Sequence, residues 1–434
     1  MKNNWTFCDG EGRLDRPAPQ INRRQLLTSA ATLIAGGVWW ASPKTALSQA
    51  YMRSDKSNGN ILVSLFLRGG ADGLNIVAPY GEDDYYKLRP SLGIPSPKSG
   101  KPEVNRLTDL DGFFGINPAL LPLISDYKEG NLAFVHAVGS GDQSHSHFEA
   151  MSTMELGLQN QNERVSGGWL ARHLNSTPDR QAPLRAIAFA NTMPDRFSGA
   201  HGALAINSLA DYNLKNDDKE FIKQLTQIYN RGDSEVAEAG RDTLKVLDIL
   251  NQNDPKGYKP DSGAKYPDSE LGRAFKEAAF LIKQDVGLEV CCLDSVGWDS
   301  HITQGNTEGW LFELLSDVSK SIAAFRTDLG NEMNRVVICV QSEFGRRVGE
   351  NSGLGTDHGA GGCMMLLGNN VRGGKVYGDW PGLVNDKLSG PGDLAITTDY
   401  RNVLAEITSK HLHNERVGDV FPNIDNKHLD MIDP

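Results

Sequence analysis

Four short stretches gather the side chains able to do chemistry, and each follows a run of apolar residues. Asp72 ends Arg68-Gly69-Gly70-Ala71-Asp72, and Ser144, His145, Ser146 and His147 alternate just ahead of a helical pattern. Asp299 and His301 lie two apart, so extended backbone projects them the same way. The fourth stretch, Arg335 to Gly362, delivers Glu343 after the apolar run Val336 to Val340, then Asp357 and His358 in a glycine-rich loop. Carboxylates and neutral imidazoles converging from rigid supports are what a divalent metal needs. Singly, each cluster has an ordinary reading. Asp72-Gly73 suits a turn, Ser146 a helix cap, Glu343 a cap, and Asp357-His358 a surface loop. Gathered at one edge, they would repel or stand unpaired without cations. One or two divalent ions (Zn, Mn, Ca or Mg) are therefore expected, a pair lying roughly 3.5–4 Å apart. His411, His413 and His428, in a polar tail, read as solvated.

A sheet can bring such groups together. Ile61 to Leu67 has no polar alternation and reads as a central strand. Further strands are expected at Leu132–Val138, Leu184–Ala190, Leu288–Leu293, Val336–Val340 and Cys363–Leu367. Helical patterns fall between them, at Phe148–Leu158, Leu271–Val286 and Gly309–Leu329, the last with Trp310, Leu314, Leu315, Val318, Ile322 and Phe325 turned inward. Asp399 caps a final helix through Lys410. This alternation predicts an α/β fold with a mainly parallel central sheet flanked by helices. Parallel strands place their carboxyl ends at one edge, where ligands bind in open α/β sheets. The polar segment from Asn207 to about Ala264 reads as a helical insertion that covers or flanks the site.

The chain's start reads differently. Arg23-Arg24-Gln25-Leu26-Leu27 precedes a weak apolar run, Ala30 to Trp40, and a small-residue exit at Ser48-Gln49-Ala50. This is the pattern of a twin-arginine export signal, with residues 1–50 removed and 51–434 forming one domain. The expected partner is the twin-arginine export machinery, and the expected location is periplasmic or secreted. No segment reaches transmembrane length. The whole chain carries a net charge of −11, and the part after residue 50 about −14, which argues against nucleic acid as a partner. Cys291, Cys339 and Cys363 sit in apolar runs and read as buried hydrophobes, with Cys292 facing away from Cys291.

The ordered set Arg23-Arg24, Leu67 to Asn75, Ser146-His147-Phe148, Gly297 to His301, Ser342 to Arg346 and Gly355 to Gly359 resembles the exported domain-of-unknown-function family numbered 1501. That family is grouped with the alkaline-phosphatase-like and sulfatase-like superfamily. The resemblance implies a mainly parallel sheet between helices, two metals, and a Ser or Thr nucleophile at a helix N-terminus. By position, Asp72 matches the first-strand metal aspartate, and Ser146 the nucleophile, with Ser144 as its substitute. Asp299 and His301 match the Asp/His pair of one metal. Glu343 falls where a strand-end Asp is usual, and Phe344 where its partner His is usual. Either Asp357-His358 supplies that missing pair, or His358 is the later histidine and His147 fills the second metal's vacancy.

The expected chemistry is metal-assisted hydrolysis or transfer of a phosphate or sulfate ester, from a small anionic ester or a glycan. Ser146 or a water attacks, and Arg68 or Arg346 holds the anionic group in a bidentate grip. The alternative is a non-catalytic envelope protein, binding or structural, that keeps the scaffold with a degraded metal site, as Phe344 in a ligand position suggests. An oxidoreductase is the third reading, suggested only by the export route; no GxGxxG-type loop follows the first strand.

Overall fold

A computed structural model describes residues 59–433, except 178–181, 183, 201, 210–218, 233 and 254. The expected export signal, residues 1–50, lies outside the described residues. Nine strands build the central sheet: β1 (Ile61–Arg68), β2 (Leu132–Gly139), β3 (Ala186–Phe189), β4 (Ala203–Ile206), β5 (Val290–Val296), β6 (Val336–Ser342), β7 (Gly362–Leu367), β8 (Val376–Tyr377) and β9 (Thr398–Asp399). Their order is β8-β2-β7-β6-β1-β5-β3-β4, with β9 also on β2. β1 pairs in parallel with both β5 and β6, Leu65 standing opposite Leu293 and Val340. A run of apolar, largely β-branched residues suits this central place, because both of its faces are covered.

Side chains alternate between two cores with the period of two that a strand imposes. Ile61, Val63, Leu65 and Leu67 pack with helices α5 (Glu270–Lys283) and α6 (Trp310–Leu329), through Phe275, Ile322 and Phe325 among others. Leu62 and Phe66 face the other way, into a cluster with Trp169 of α2 (Trp169–Ser176) and Val403 of α7 (Tyr400–Glu406). Each such buried apolar side chain contributes roughly 1.5–3 kcal/mol. The result is the expected α/β arrangement, with helices on both faces of a mostly parallel sheet. The polar segment after Asn207 contains α3 (Lys219–Tyr229) and α4 (Glu235–Asn253); Val246 and Leu250 of α4 join the first core.

One strand runs against the rest. β7 is antiparallel to both β6 and β2. The chain therefore leaves β6 at its carboxyl end, loops through residues 343–361, and enters β7 at the same edge. His358, four residues before β7, reaches that edge from a strand's start.

Four sequence expectations need correction. β4 was not foreseen, being four residues long. β5 continues past Leu293 to Val296, because the Asp294 carboxylate is neutralised within the ladder by Arg68 at 2.8 Å and Arg196 at 2.7 Å. Trp310 is 56 % exposed rather than inward, its indole N–H donating to the Gly297 carbonyl. His411 is fully buried rather than solvated: its Nε2 donates to the Ile61 carbonyl at 3.0 Å, and burial pulls the imidazole down to about 4. All four cysteines from Cys291 onward are free, and Cys291 and Cys292 face opposite cores.

Gly69 fixes how closely the loop after β5 approaches the end of β1. Its φ is +126°, and a Cβ there would lie 2.5 Å from the Asp299 backbone nitrogen. Gly100 has φ +74° but open space around it. Gly100→Ala should therefore lose only the left-handed backbone term, about 1 kcal/mol, whereas Gly69→Ala should lose at least twice that. Urea unfolding of the two variants measures the difference.

Candidate metal centre

Three loops at the carboxyl edge deliver the site. β2 leads through residues 140–146 into α1 (His147–Glu155), whose first residue is His147. The loop after β5 carries Asp299 and His301, and the β6–β7 loop carries Asp357 and His358. Backbone pairing pins these loops together. Thr356 N donates to Ser300 O at 3.1 Å, Thr303 N to Gly353 O at 2.9 Å, and Arg346 bridges to His358. Gly355 permits this contact, since a Cβ there would sit 2.3 Å from the His301 carbonyl carbon.

Ligand atoms of His147, Asp299 and His358 all lie within 4.8 Å of one another. His301 joins them, its Nε2 lying 2.9 Å from His358 Nε2 and 3.0 Å from Asp299 Oδ1. His358 Nε2 is 3.1 Å from Asp299 Oδ1, and His147 Nε2 is 3.4 Å from Asp299 Oδ2. Adjacent donor atoms bound about 2.0–2.2 Å from one ion stand about 2.8–3.6 Å apart, so these separations suit a shared cation.

The protons decide the matter. His358 Nδ1 lies 2.7 Å from the His145 carbonyl oxygen, which only accepts, so Nδ1 carries the proton. His147 Nδ1 faces Glu343 Oε1 at 2.8 Å, and His301 Nδ1 faces Asp357 Oδ1 at 3.2 Å. In the neutral rings the Nε2 atoms of His147 and His358 are then lone-pair donors turned toward the Asp299 carboxylate, while His301 stands between two carboxylates, Asp357 at Nδ1 and Asp299 at Nε2. His147 Nε2 is buried with no hydrogen-bond partner at all. A carboxylate or carbonyl behind each imidazole is the arrangement that orients histidines on a metal.

Electrostatics agree. Burial pushes the Asp299 carboxyl up, but Arg346, by its hydrogen bond and its charge, works against this, and the carboxyl is held at about 2. The hydrogen bond to Glu343 raises His147 above the ordinary 6.5, and burial lowers His358 below it. The hydrogen bond from Asn351 is the main reason that Asp357 stays ionised well into acid. Asp299 and His301 keep 46 % and 39 % of their side chains exposed, leaving one side of the cluster open.

Not every expected residue joins. Asp72 is held by Arg89 through two bonds of 2.6 and 3.0 Å and receives Gln304 Nε2 at 2.6 Å, so its carboxylate is paired within the fold and stands outside the clustered ligand atoms. Glu343 and Asp357 stand behind imidazoles rather than among the direct ligands. Arg68 is engaged by Glu155 and Asp294, away from the cluster. Arg346 is buried and donates to Asp299 Oδ1 at 2.7 Å and to the carbonyls of Gly69, Gly70, Trp298 and Thr356, so it serves the loops rather than an open face of the cluster. Phe344 packs on the rings of His147 and His358, walling the site where a ligand was expected. Ser146 is the N-cap of α1, yet its hydroxyl makes no capping bond. Sequence reading missed the roles of Arg89 and Gln304, for which no local pattern gives a signal, and of His145, whose carbonyl carries none.

Two outcomes follow. A proton on His147 Nε2 competes with a metal, so affinity should begin to fall above pH 6.5 on acidification, and Glu343→Gln, by lowering the His147 pKa, should move that onset to lower pH. Chelator-competition titrations over roughly pH 5 to 8 read both. Asp72→Asn should cost about 3–5 kcal/mol by stranding the Arg89 guanidinium, while metal per folded chain stays unchanged. Loss of metal without loss of stability would instead make Asp72 a ligand.

No curated protein matches the chain. A solved structure described as that of the PH0037 protein from Pyrococcus horikoshii is similar over 72 % of this chain and 87 % of its own length, at 12 % identity and a TM-score of 0.27. The family described as "Protein of unknown function (DUF1501)" matches residues 60–412, most of the length and every residue of the metal cluster, and the chain belongs to that family.

Proposed function

We propose that this protein is a hydrolase of phosphate or sulfate esters that works with one divalent metal, on an alkaline-phosphatase-like scaffold. The observation that carries the reading is the set of three imidazole Nε2 atoms gathered about the Asp299 carboxylate, with His147 Nε2 left unpartnered. His147, His301, His358 and Asp299 would hold the ion. Imidazole-rich sites favour Zn²⁺ over Mn²⁺, Ca²⁺ or Mg²⁺, which prefer oxygen ligands. With Asp72 paired to Arg89, one group of clustered ligand atoms stands among the described residues, so the reading is of one ion per chain.

When bound, the ion would supply charge neutralisation and a lowered pKa for a hydroxyl or water beside it. The chain's own residues would do the rest. Ser146 precedes a ligand directly and holds a hydroxyl that is not spent on capping. The backbone N–H groups of His147, Phe148 and Glu149, in the first turn of α1, have no protein partner and favour an anion there. This anion site takes the place of the expected arginine clamp, because Arg346 is buried and Arg68 is paired with Glu155 and Asp294. Phe148 and Ile302, each one residue from a ligand, are 85 % and 72 % exposed, which favours an ester with an apolar organic part. The twin-arginine pattern at Arg23-Arg24 supports action in the periplasm or outside the cell, after folding and metal loading.

A second reading, a metal-binding envelope protein without turnover, is favoured by the pairing of both arginines within the fold and by Phe344 in a ligand position. Elemental analysis and assays of aryl phosphate and aryl sulfate with Zn²⁺ or Mn²⁺ separate the two. The hydrolase reading expects about one metal per chain, turnover abolished by chelation, and a loss of at least 100-fold in kcat for Ser146→Ala at unchanged metal content. Full metal occupancy with no turnover on either ester would leave the second reading; a metal-free protein under every loading condition would remove both.

A further inference from the structure

His145 has its backbone in the left-handed region, at φ +51°, although it is neither Gly nor Asn. That conformation costs about 1–2 kcal/mol and persists only where its surroundings impose it. Two contacts do so here. The His145 carbonyl accepts the proton of His358 Nδ1 at 2.7 Å, and the His145 imidazole Nε2 lies 2.8 Å from Asp393 Oδ2. Asp393 is 4 % exposed and fixed by its own backbone, which exchanges hydrogen bonds with Ser389 and bridges to Arg347. The segment around His145 is otherwise held by short local turns, Ser144 N to Asp142 Oδ1 and Ser146 N to Ser144 Oγ.

We propose that His145 is a positioning residue of the metal centre, latched by Asp393 and acting through His358. The side-chain bond to Asp393 offsets the strained backbone. The strained backbone in turn aims the carbonyl that keeps the His358 proton on Nδ1. Without the latch, residue 145 relaxes toward ordinary φ, the carbonyl turns away, and the His358 proton is free to occupy Nε2, the atom that faces Asp299. The same relaxation moves the start of α1, and with it His147. One side chain thus governs the tautomer of one ligand and the placement of another. This inference rests on the metal reading above.

The test uses Co²⁺, whose visible absorption reports ligand geometry, with affinity taken by chelator competition on the full chain. His145→Ala removes the latch but keeps a Cβ that disfavours positive φ, so the residue relaxes; it should bind Co²⁺ about 10–100-fold more weakly, with an altered spectrum. His145→Gly removes latch and strain together and should lose less, and it carries the test if the alanine variant does not fold. Asp393→Asn keeps an acceptor oxygen for His145 and should restore most of the wild-type affinity and spectrum. A purely structural role would lower the thermal midpoint of the metal-free protein and leave the Co²⁺ spectrum unchanged. Wild type with a Co²⁺ spectrum, and the alanine and glycine variants matching it in affinity and spectrum, overturns the role of His145 while the metal centre stands. Wild type that takes up no Co²⁺ overturns both.

Discussion

Two imidazole lone pairs turned on one ionised carboxylate repel it unless positive charge lies among them. Glu343 and the His145 carbonyl turn the protons of His147 and His358 outward, and so aim their Nε2 atoms at Asp299. His301 completes the group, its Nε2 2.9 Å from His358 Nε2 and 3.0 Å from Asp299. Arg346 lies close by and donates to Asp299 and four carbonyls, so it balances the carboxylate rather than the imidazoles. Under the proposed reading a cation supplies that charge, and the loops at the sheet's edge bring together the side chains that would hold it.

Asp72 shows how a buried carboxylate chooses its partner. Held on the end of β1 and 1 % exposed, it needs a full positive charge, and the Arg89 guanidinium supplies one with a matching pair of donors. Gln304 then spans outward from Asp72. Its Oε1 accepts from Ser300, between two of the metal-facing residues, and from Thr356, two residues before His358. The residue that motif matching assigns to a metal thus serves as the footing for the loops that carry the ligands. Rigid support of this kind keeps several side chains from different loops within a few tenths of an ångström of a common point.

Much of this was legible in the residues. Apolar runs without alternation gave β1, β2, β6 and β7, because a strand covered on both faces has no reason to alternate. Polar clusters directly after those runs gave His147, Asp299, His301 and His358, because a parallel sheet places strand ends together. The rest escaped for reasons of distance. The direction of β7 depends on whether the β6–β7 loop crosses over or doubles back, which composition does not encode. His411 looked solvated among polar neighbours, yet its ring lies against the Ile61 carbonyl, 350 residues away. Trp310 looked buried by helical spacing, yet a bond from its indole to Gly297 holds it at the surface.

What the sequence determined alone is the inventory and the period: which segments are strands or helices, which residues can ligate, and that they follow strands. Local chemistry suffices for that, since apolar patterning and turn residues act over a few positions. Only the tertiary structure decided the assignment of roles. Whether a carboxylate ligates a metal, answers an arginine or orients an imidazole depends on which charge the fold brings within about 3 Å of it, and interaction energies at that range change more with an ångström of placement than with any choice of neighbouring residue in the chain.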